Sequence, residues 1–308
     1  MLNYNAHKEA IVRLNRGEMQ QYASENGLNY NTLRGRKSEW KNEMLNYPLS
    51  NYEIPDPVKS FDEAPMYIPS ANFLVLADIH APYHNKLMIE RALKVCKLHF
   101  PLVCSVVFAG DLYNFERISS HPIDGPSTGT NTDMHTAGAI LRRVMHDFDD
   151  VYVIPGNHCR RIMKAMKSEY DFSFVVNGSL GSERPRNCEL HTSNLSYCYA
   201  GRQDKRDWLI YHPTSYSGFG GKTPAEQAQL DQINVIGSHN HVMGLMQSRD
   251  GKYIGVDPGH LSDESYHWYH AKDRNKFAAW TAGFCIVSNN RPYLFNDIIS
   301  DWQMLGVK

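Results

Sequence analysis

A chain of 308 residues, 42% hydrophobic and 21% charged, has the composition of one or two globular domains and excludes a fibrous or largely disordered protein. Its formal net charge of -1 excludes capture of nucleic acid by the global field, so any such contact needs a local basic patch. No run approaches the roughly 18 apolar residues of a membrane span, and the opening MLNYNAHKEA lacks the apolar core of a signal peptide. The six cysteines, at 96, 104, 159, 188, 198 and 285, show no C-x-x-C spacing. They read as reduced thiols of a cytoplasmic protein, not as a disulfide framework or a zinc ribbon.

Residues 1–46 read as a separate helical domain. Apolar spacing predicts one helix over Ala6–Leu14 and a second over Glu18–Asn26, stopped by Gly27, which suits a left-handed C-cap. Asn29 or Asn31 can cap a third helix running to about Met44. Two helices joined by a tight turn with Gly suggest a helix-turn-helix. The third carries Arg34, Arg36, Lys37 and Lys41 against Glu39 and Glu43, a local positive excess. The stretch YASENGLNYNTLRGRKSEW resembles the helix-turn-helix segments of phage and bacterial DNA-binding proteins. That resemblance implies a third helix in the major groove, with Asn31, Arg34 and Arg36 or Lys37 near bases or phosphates and Lys41 on the same basic helix. The alternative is a three-helix appendage for packing or oligomerisation, and Gly35 inside the third helix weakens that helix.

Residues 47–70 read as a linker. Pro48, Pro55, Pro57, Pro65 and Pro69 favour a semi-extended spacer, and Tyr52, Ile54, Phe61, Met66, Tyr67 and Ile68 give it the means to wrap the domain that follows. From 71 to 308 strand and helix alternate. Helices are expected over Leu87–Phe100, Asp133–Phe148, Arg160–Tyr170 and Pro224–Asp231. Strands are expected late in the chain over Gly244–Gln247, Tyr253–Val256, Ala278–Ser288 and Tyr293–Ile299. Early βα units followed by strands suggest an α/β protein with two sheets and helices outside.

Five short apolar runs each end in polar residues. Phe73–Ala77 ends in Asp78 and His80. Ser105–Ala109 ends in Gly110-Asp111. Val151–Ile154 ends in Pro155-Gly156-Asn157-His158. Trp208–Tyr211 ends in His212, and Asn234–Ile236 in Gly237-Ser238-His239-Asn240-His241. Runs of this length read as buried strands, and open α/β sheets place ligands at strand carboxyl ends. Carboxylate, imidazole and amide oxygen donors together fit manganese, iron or zinc. Seven residues, Asp78, His80, Asp111, Asn157, His212, His239 and His241, suffice for two ions if an Asp bridges. Two ions roughly 3.5–4 Å apart can generate a hydroxide and clamp both oxygens of an in-line displacement at phosphorus.

The ordered set D-x-H, G-D-x-x-N, G-N-H, a lone His and H-x-H resembles the calcineurin-like metallophosphoesterase superfamily, over about residues 72–300. The resemblance implies a four-layer α/β/β/α sandwich and two divalent ions, manganese in the first instance and iron or zinc as alternatives. It implies that Asp78, His80 and His241 hold the first ion, that Asp111 bridges, and that Asn157, His212 and His239 hold the second. His158 would be the general acid or would steady transition-state charge. The segment after His241 also fits: Val256-Asp257-Pro258-Gly259 stands where N-P-G-S is frequent. Three departures stand out. Ser238 replaces the Gly of G-H-x-H. Cys159 replaces the acid that commonly follows G-N-H, while Arg161 matches a basic residue of some members. Asn114 stands where relatives often carry an Asp or His that orients the catalytic His; without that charge, a lower His158 pKa is expected.

Other residues are less specific. Tyr83 and His84 follow the first strand and are read as substrate contacts or as loop packing, and Arg161 as a substrate contact. His121 and His135 flank Ser119–Asn131, rich in Ser, Thr, Gly and Pro, read as a surface loop in preference to a lid. Gly218–Thr223 invites a phosphate-loop reading, but Tyr216 stands where the pattern needs Gly; a mobile loop near His212 is expected instead. His260 and the cluster Tyr266, His267, Trp268, Tyr269, His270 could stack bases or pack under a loop. A basic helical module beside a phosphoesterase would raise the local DNA concentration. The expected function is therefore a nuclease or nucleotide phosphodiesterase in a bacterial or phage-infected cytoplasm, with DNA or a nucleotide as partner. The alternatives are a phosphatase on a protein or small phosphomonoester, and a DNA-binding protein with a structural metal site.

Overall fold

The computed structural model describes residues 3–45, 63–120, 125–167, 169–202, 205–267 and 280–307. The chain divides into two compact units, Met1–Phe61 and Asp62–Lys308. The first holds a 3-10 turn at Tyr4–His7 and helices α1 (Lys8–Arg13), α2 (Arg16–Glu25) and α3 (Tyr30–Leu45). A capping box starts α2: Glu18 N donates to Asn15 Oδ1 at 3.0 Å and Asn15 N to Glu18 Oε2 at 2.7 Å. Gly27 takes the left-handed conformation that ends it, with φ +63°. Of the two Asn candidates at the next start, Asn29 does the capping, accepting from Thr32 N at 3.1 Å. Ile11, Met19, Ala23, Leu28, Leu33 and Trp40 are buried together as the core of this unit.

The second unit contains strands β1 (Met66–Ile68), β2 (Phe73–Leu76), β3 (Ser105–Ala109), β4 (Asp150–Ile154), β5 (Glu189–Thr192), β6 (Tyr197–Ala200), β7 (Trp208–Tyr211), β8 (Asn234–Gly237), β9 (Gly244–Gln247), β10 (Ile254–Asp257), β11 (Gly283–Ser288) and β12 (Arg291–Asn296). Its helices are α4 (Lys86–His99), α5 (Thr130–Met145), α6 (Cys159–Ala165), α7 (Phe172–Leu180) and α8 (Lys222–Asp231). They build two six-stranded mixed sheets, ordered β12-β11-β2-β3-β4-β5 and β1-β6-β7-β8-β10-β9. Strands β2, β3, β4 and β5 run parallel, as do β7, β8 and β10.

Side chains alternate across a strand, and that alternation builds the layers. Phe73, Val75, Val107, Ile154, Cys285 and Val287 of one sheet face Ile68, Cys198, Trp208, Ile210, Ile236 and Val256 of the other. The intervening residues, Leu74, Leu76, Val106, Phe108, Val151 and Val153, turn outward onto Leu93 of α4, Leu141 of α5 and Val176 of α7. On the far side Leu209 and Val235 pack against Ala228 of α8. The result is a four-layer α/β/β/α sandwich, with an apolar layer between the two sheets.

Several elements escaped the sequence reading. Helix α7 is apolar on most sides and so lacks a stripe; its start is set by Asp171, which accepts from Phe174 N at 3.1 Å. Strands β5 and β6 are four residues each, too short for a period to show. Met66–Ile68, at the end of the stretch read as a linker, pairs parallel with β6; residues 47–62 of that stretch lie outside the described residues. The strand expected from Ala278 begins at Gly283, and its partner ends at Asn296. Asn289 and Asn290 join the two with φ of +49° and +66°, the double left-handed turn that matches the twist of a hairpin.

Candidate metal centre

The carboxyl ends of β2, β3 and β4 in one sheet and β7 and β8 in the other deliver all seven predicted ligands to one place. Asp78, His80 and His241 form a group whose ligand atoms lie within 4.8 Å of one another, and Asp111, His212 and His239 form a second. His80 Nε2 lies 3.2 Å from His241 Nε2. Asn157 Oδ1 lies 2.9 Å from His212 Nε2. Asp111 Oδ2 stands between the groups, 3.3 Å from His212 Nε2 and 4.0 Å from His80 Nε2. A carboxylate oxygen placed there could be shared by two ions.

Each carboxylate splits its duties. Asp78 Oδ2 accepts from His239 N at 2.9 Å, and Asp111 Oδ1 from His158 N at 2.8 Å. The other two oxygens, Asp78 Oδ1 and Asp111 Oδ2, are buried and have imidazoles as their ion-pair contacts, His241 Nε2 at 3.5 Å and His212 Nε2 at 3.3 Å, without a well-formed hydrogen bond. Buried charged oxygens left this way are costly unless something positive meets them. These two oxygens, the facing imidazole nitrogens and the mixed N/O donor set fit divalent cations, and the clusters have the capacity for a binuclear site. They are consistent with a metal-dependent hydrolase.

The protein pays in backbone strain to hold this geometry. Asp78, His80, Asp111, His239 and His241 all have left-handed φ, between +43° and +77°. Non-glycine residues rarely adopt it, and such outliers collect at functional sites. Space is equally tight. A Cβ on Gly110 would sit 2.1 Å from His212 Nδ1, and one on Gly156 2.1 Å from Asp111 Oδ1. Both positions need Gly so that the ligands beside them can close in.

A surrounding layer of hydrogen bonds aims the ligands. Asn114 Oδ1 accepts from His80 Nδ1 at 3.2 Å and from His158 Nδ1 at 3.1 Å, which leaves His80 Nε2 as the free donor atom for an ion. On the other side, Ser238 Oγ donates to Ala109 O at 2.5 Å and lies 2.9 Å from His212 Nδ1. Ser238, a departure from G-H-x-H, thus orients His212 Nε2 toward Asn157 and Asp111. His158 Nδ1 also reaches Asn114 O at 3.0 Å, and Arg161 Nη1 donates to the same carbonyl at 2.9 Å. Arg161 Nη2 lies 3.1 Å from His158 Nε2. A guanidinium only donates, so Nε2 accepts and the ring is neutral, with its proton on Nδ1.

Charge follows the same plan. Burial drives His158 down to about 4, and Arg161 adds to the effect while Asp111 opposes it. Burial also takes His80 well below its ordinary value, helped by His158. Burial alone would raise both carboxyls. The imidazoles His241 and His212 outweigh it at Asp78, and His212 and His158 outweigh it at Asp111, which is held well below the usual range. His212 goes the other way, to about 9, because Asp111 and Asp78 overcome its burial.

The walls contain Trp280, which the sequence reading did not single out, together with His260, His267 and Asp257, which it named without making them part of the metal cluster. His260 stacks on His241 with centroids 5.0 Å apart, its Nδ1 2.8 Å from Ser262 Oγ. Trp280 lies against His241 at 4.2 Å, and His267 stands edge-on to His80 at 5.6 Å and to Tyr83 at 5.3 Å. Asp257 is fully buried and its carboxyl is raised well above its usual value by burial; it accepts from Asn240 Nδ2 at 2.5 Å. Its signal was legible, since β10 is a sixth apolar run ending in an acid. His84 is not at the centre: its Nδ1 meets Pro82 O and it lines a groove with Lys86, His135 and Arg143. Asn31, Arg34, Arg36, Lys37 and Lys41 belong to the other unit. His121, Trp268, Tyr269 and His270 lie outside the described residues. A further group, Asp150, Glu189 and His191, gathers at the amino ends of β4 and β5. No family model matches this chain, and no curated protein matches it.

Proposed function

We propose that this protein is a binuclear-metal phosphodiesterase of the calcineurin-like metallophosphoesterase type, acting on nucleic acid or nucleotides. The observation that carries the reading is the pair of buried carboxylate oxygens, Asp78 Oδ1 and Asp111 Oδ2, among the imidazoles of His80, His212, His239 and His241. Asp78, His80 and His241 would hold one ion, Asn157, His212 and His239 the other, and Asp111 both. Two divalent ions, manganese first and iron or zinc as alternatives, would supply the Lewis acidity that makes water a nucleophile toward phosphorus.

The chain's own residues do the rest. Asn157 presents its amide oxygen to the cluster and fixes the approach of the phosphate. His158 is neutral at rest and carries Arg161 on its Nε2, so the couple brings a permanent positive charge to the edge of the site. It stabilises charge developing on the phosphoryl oxygens; the neutral ring has no proton on Nε2, so His158 could serve the leaving oxygen as an acid only after Arg161 moves off and Nε2 takes up a proton released by the attacking water. Asn114 holds both rings in register.

In the first unit, α2, the turn after Gly27 and α3 support the reading of a DNA-contacting helix-turn-helix. Asn31, Arg34 and Lys41 are exposed. Arg36 lies over the Tyr4 ring and Lys37 donates to Leu14 O, so these two serve the unit's own packing. The deciding experiment compares manganese-dependent hydrolysis of bis-p-nitrophenyl phosphate and p-nitrophenyl phosphate by the intact chain and by His158→Ala. Diesterase activity lost in the variant supports the proposal; monoesterase activity alone moves it to a phosphatase. For the helical unit, Arg34→Ala with Lys41→Ala should weaken DNA binding and flatten its salt dependence; unchanged binding removes DNA contact from the reading.

A further inference from the structure

The loop after β7, from Pro213 to Gly221, carries two rings the core does not take in. Tyr216 is 79% exposed and Phe219 71%. Large exposed aromatics beside a ligand site are informative in a way that a scattered exposed Leu is not. The loop is tied to the candidate centre. Ser217 N donates to Asn240 Oδ1 at 2.8 Å, and Asn240, between His239 and His241, donates in turn to Asp257. Phe219 N donates to Ser217 Oγ at 3.2 Å. Gly220 backs onto Met243 so closely that a Cβ there would sit 2.3 Å from its carbonyl oxygen. The Tyr216 ring stands edge-on to His239, with centroids 6.2 Å apart. It is therefore an aromatic surface fixed beside a predicted ligand and otherwise open to solvent.

From this we infer that Tyr216 is the platform on which a nucleobase of the substrate stacks, making the substrate a nucleoside phosphodiester or a single nucleic-acid strand. The inference rests on the phosphodiesterase reading above and adds a subsite to it. Every base has a π-face, so stacking binds nucleotides without regard to sequence. A base is one sugar removed from its phosphate, and Tyr216 is one side chain removed from the ligands. The loop PTSYSGFGG carries no charge with which to pair a charged peptide. A flat, uncharged partner is what it fits.

The test uses two diesters with the same leaving group, thymidine 5′-(p-nitrophenyl phosphate) and methyl p-nitrophenyl phosphate, on the full chain with manganese. The ratio of their kcat/KM values should favour the thymidine ester. It should fall about tenfold in Tyr216→Ala, the usual loss when a stacking ring is removed, and be retained in Tyr216→Phe. An unchanged ratio in Tyr216→Ala overturns the inference, as does an equal loss in Tyr216→Phe. If neither diester is turned over, the phosphodiesterase reading fails by itself, and equilibrium dialysis of thymidine 5′-phosphate then tests the platform. Weaker binding by Tyr216→Ala with binding kept in Tyr216→Phe supports it; equal binding by all three proteins overturns it.

Discussion

Among the described residues of the second unit, two places bring three ligand-type side chains within 4.8 Å: the centre at the carboxyl ends of the strands, and the Asp150–Glu189–His191 group at the amino ends of β4 and β5. They differ in everything except that distance. In the first, the carboxylates are buried, each keeps one oxygen without a well-formed hydrogen bond, and the backbone is left-handed at five of the predicted ligands. In the second, Glu189 is exposed, Asp150 and His191 are half-buried, and His191 already spends its Nε2 on Asp150 at 3.1 Å. An exposed pair of this kind is satisfied by itself and by water. Proximity of ligand types is thus a weak signal; buried carboxylates that face several imidazoles in a strained frame are a strong one.

The sharpest way to break the comparison is to remove one carboxylate from each place. Asp111→Asn should lower phosphoesterase activity by about a thousandfold or more, the several kcal/mol that metal activation supplies, and metal analysis should show fewer than two ions per chain. Asp150→Asn should change neither. A similar loss of bound metal from both variants would erase the distinction.

Metal removal sharpens it next. An ion at a hundred times its Kd stabilises the folded state by about 2.7 kcal/mol, or about 5–10 °C in Tm for a unit of this size. Scanning fluorimetry with and without chelator should show that shift in the wild type and in His191→Ala, and show it gone in Asp78→Asn. The orienting residues come third. Ser238→Ala and Asn114→Ala should each cost about 10- to 100-fold in metal affinity or activity, the usual toll of losing a group that aims a ligand; titration against a metal indicator checks it.

The smallest effect concerns a third kind of carboxylate, buried yet satisfied. Asp133 accepts from Phe115 N and Thr128 Oγ1, both at 2.7 Å, and needs no ion. Burial still lifts its pKa to about 6. The folded state therefore binds this proton more tightly than the unfolded chain, and stability rises as pH falls from about 6 toward 4. Tm of the metal-free wild type, taken relative to Asp133→Asn, should rise between pH 7 and pH 5. A fall would reverse the sign and reject the assignment.

The parts of this contrast legible in the sequence are those that depend on local pattern. Short apolar runs ending in Asp, Asn or His disclose both the strands and the end of the sheet at which they gather, because strand period and strand length are local properties. The amphipathic stripes of α4 and α5 were readable for the same reason, and the alternation of strand and helix gave the layers. What stayed hidden depends on distant neighbours. The left-handed backbone of Asp78 and His241 is imposed by the loops across from them. Ser238 reads as a lost Gly until Ala109 and His212 are seen on either side. His260 and Trp280 reach His241 from segments whose sequence shows no period, and α7, apolar on most sides, offers no stripe.

The backbone amides of His158 and His239 have one more consequence. Each anchors a carboxylate that comes from a different strand, and Asp78, from one sheet, holds the turn at the end of β8 in the other. The ligand loops are thereby cross-braced before any ion arrives. The position of each carboxylate is therefore tied to the loop of another strand, so a change in either loop is felt at the site.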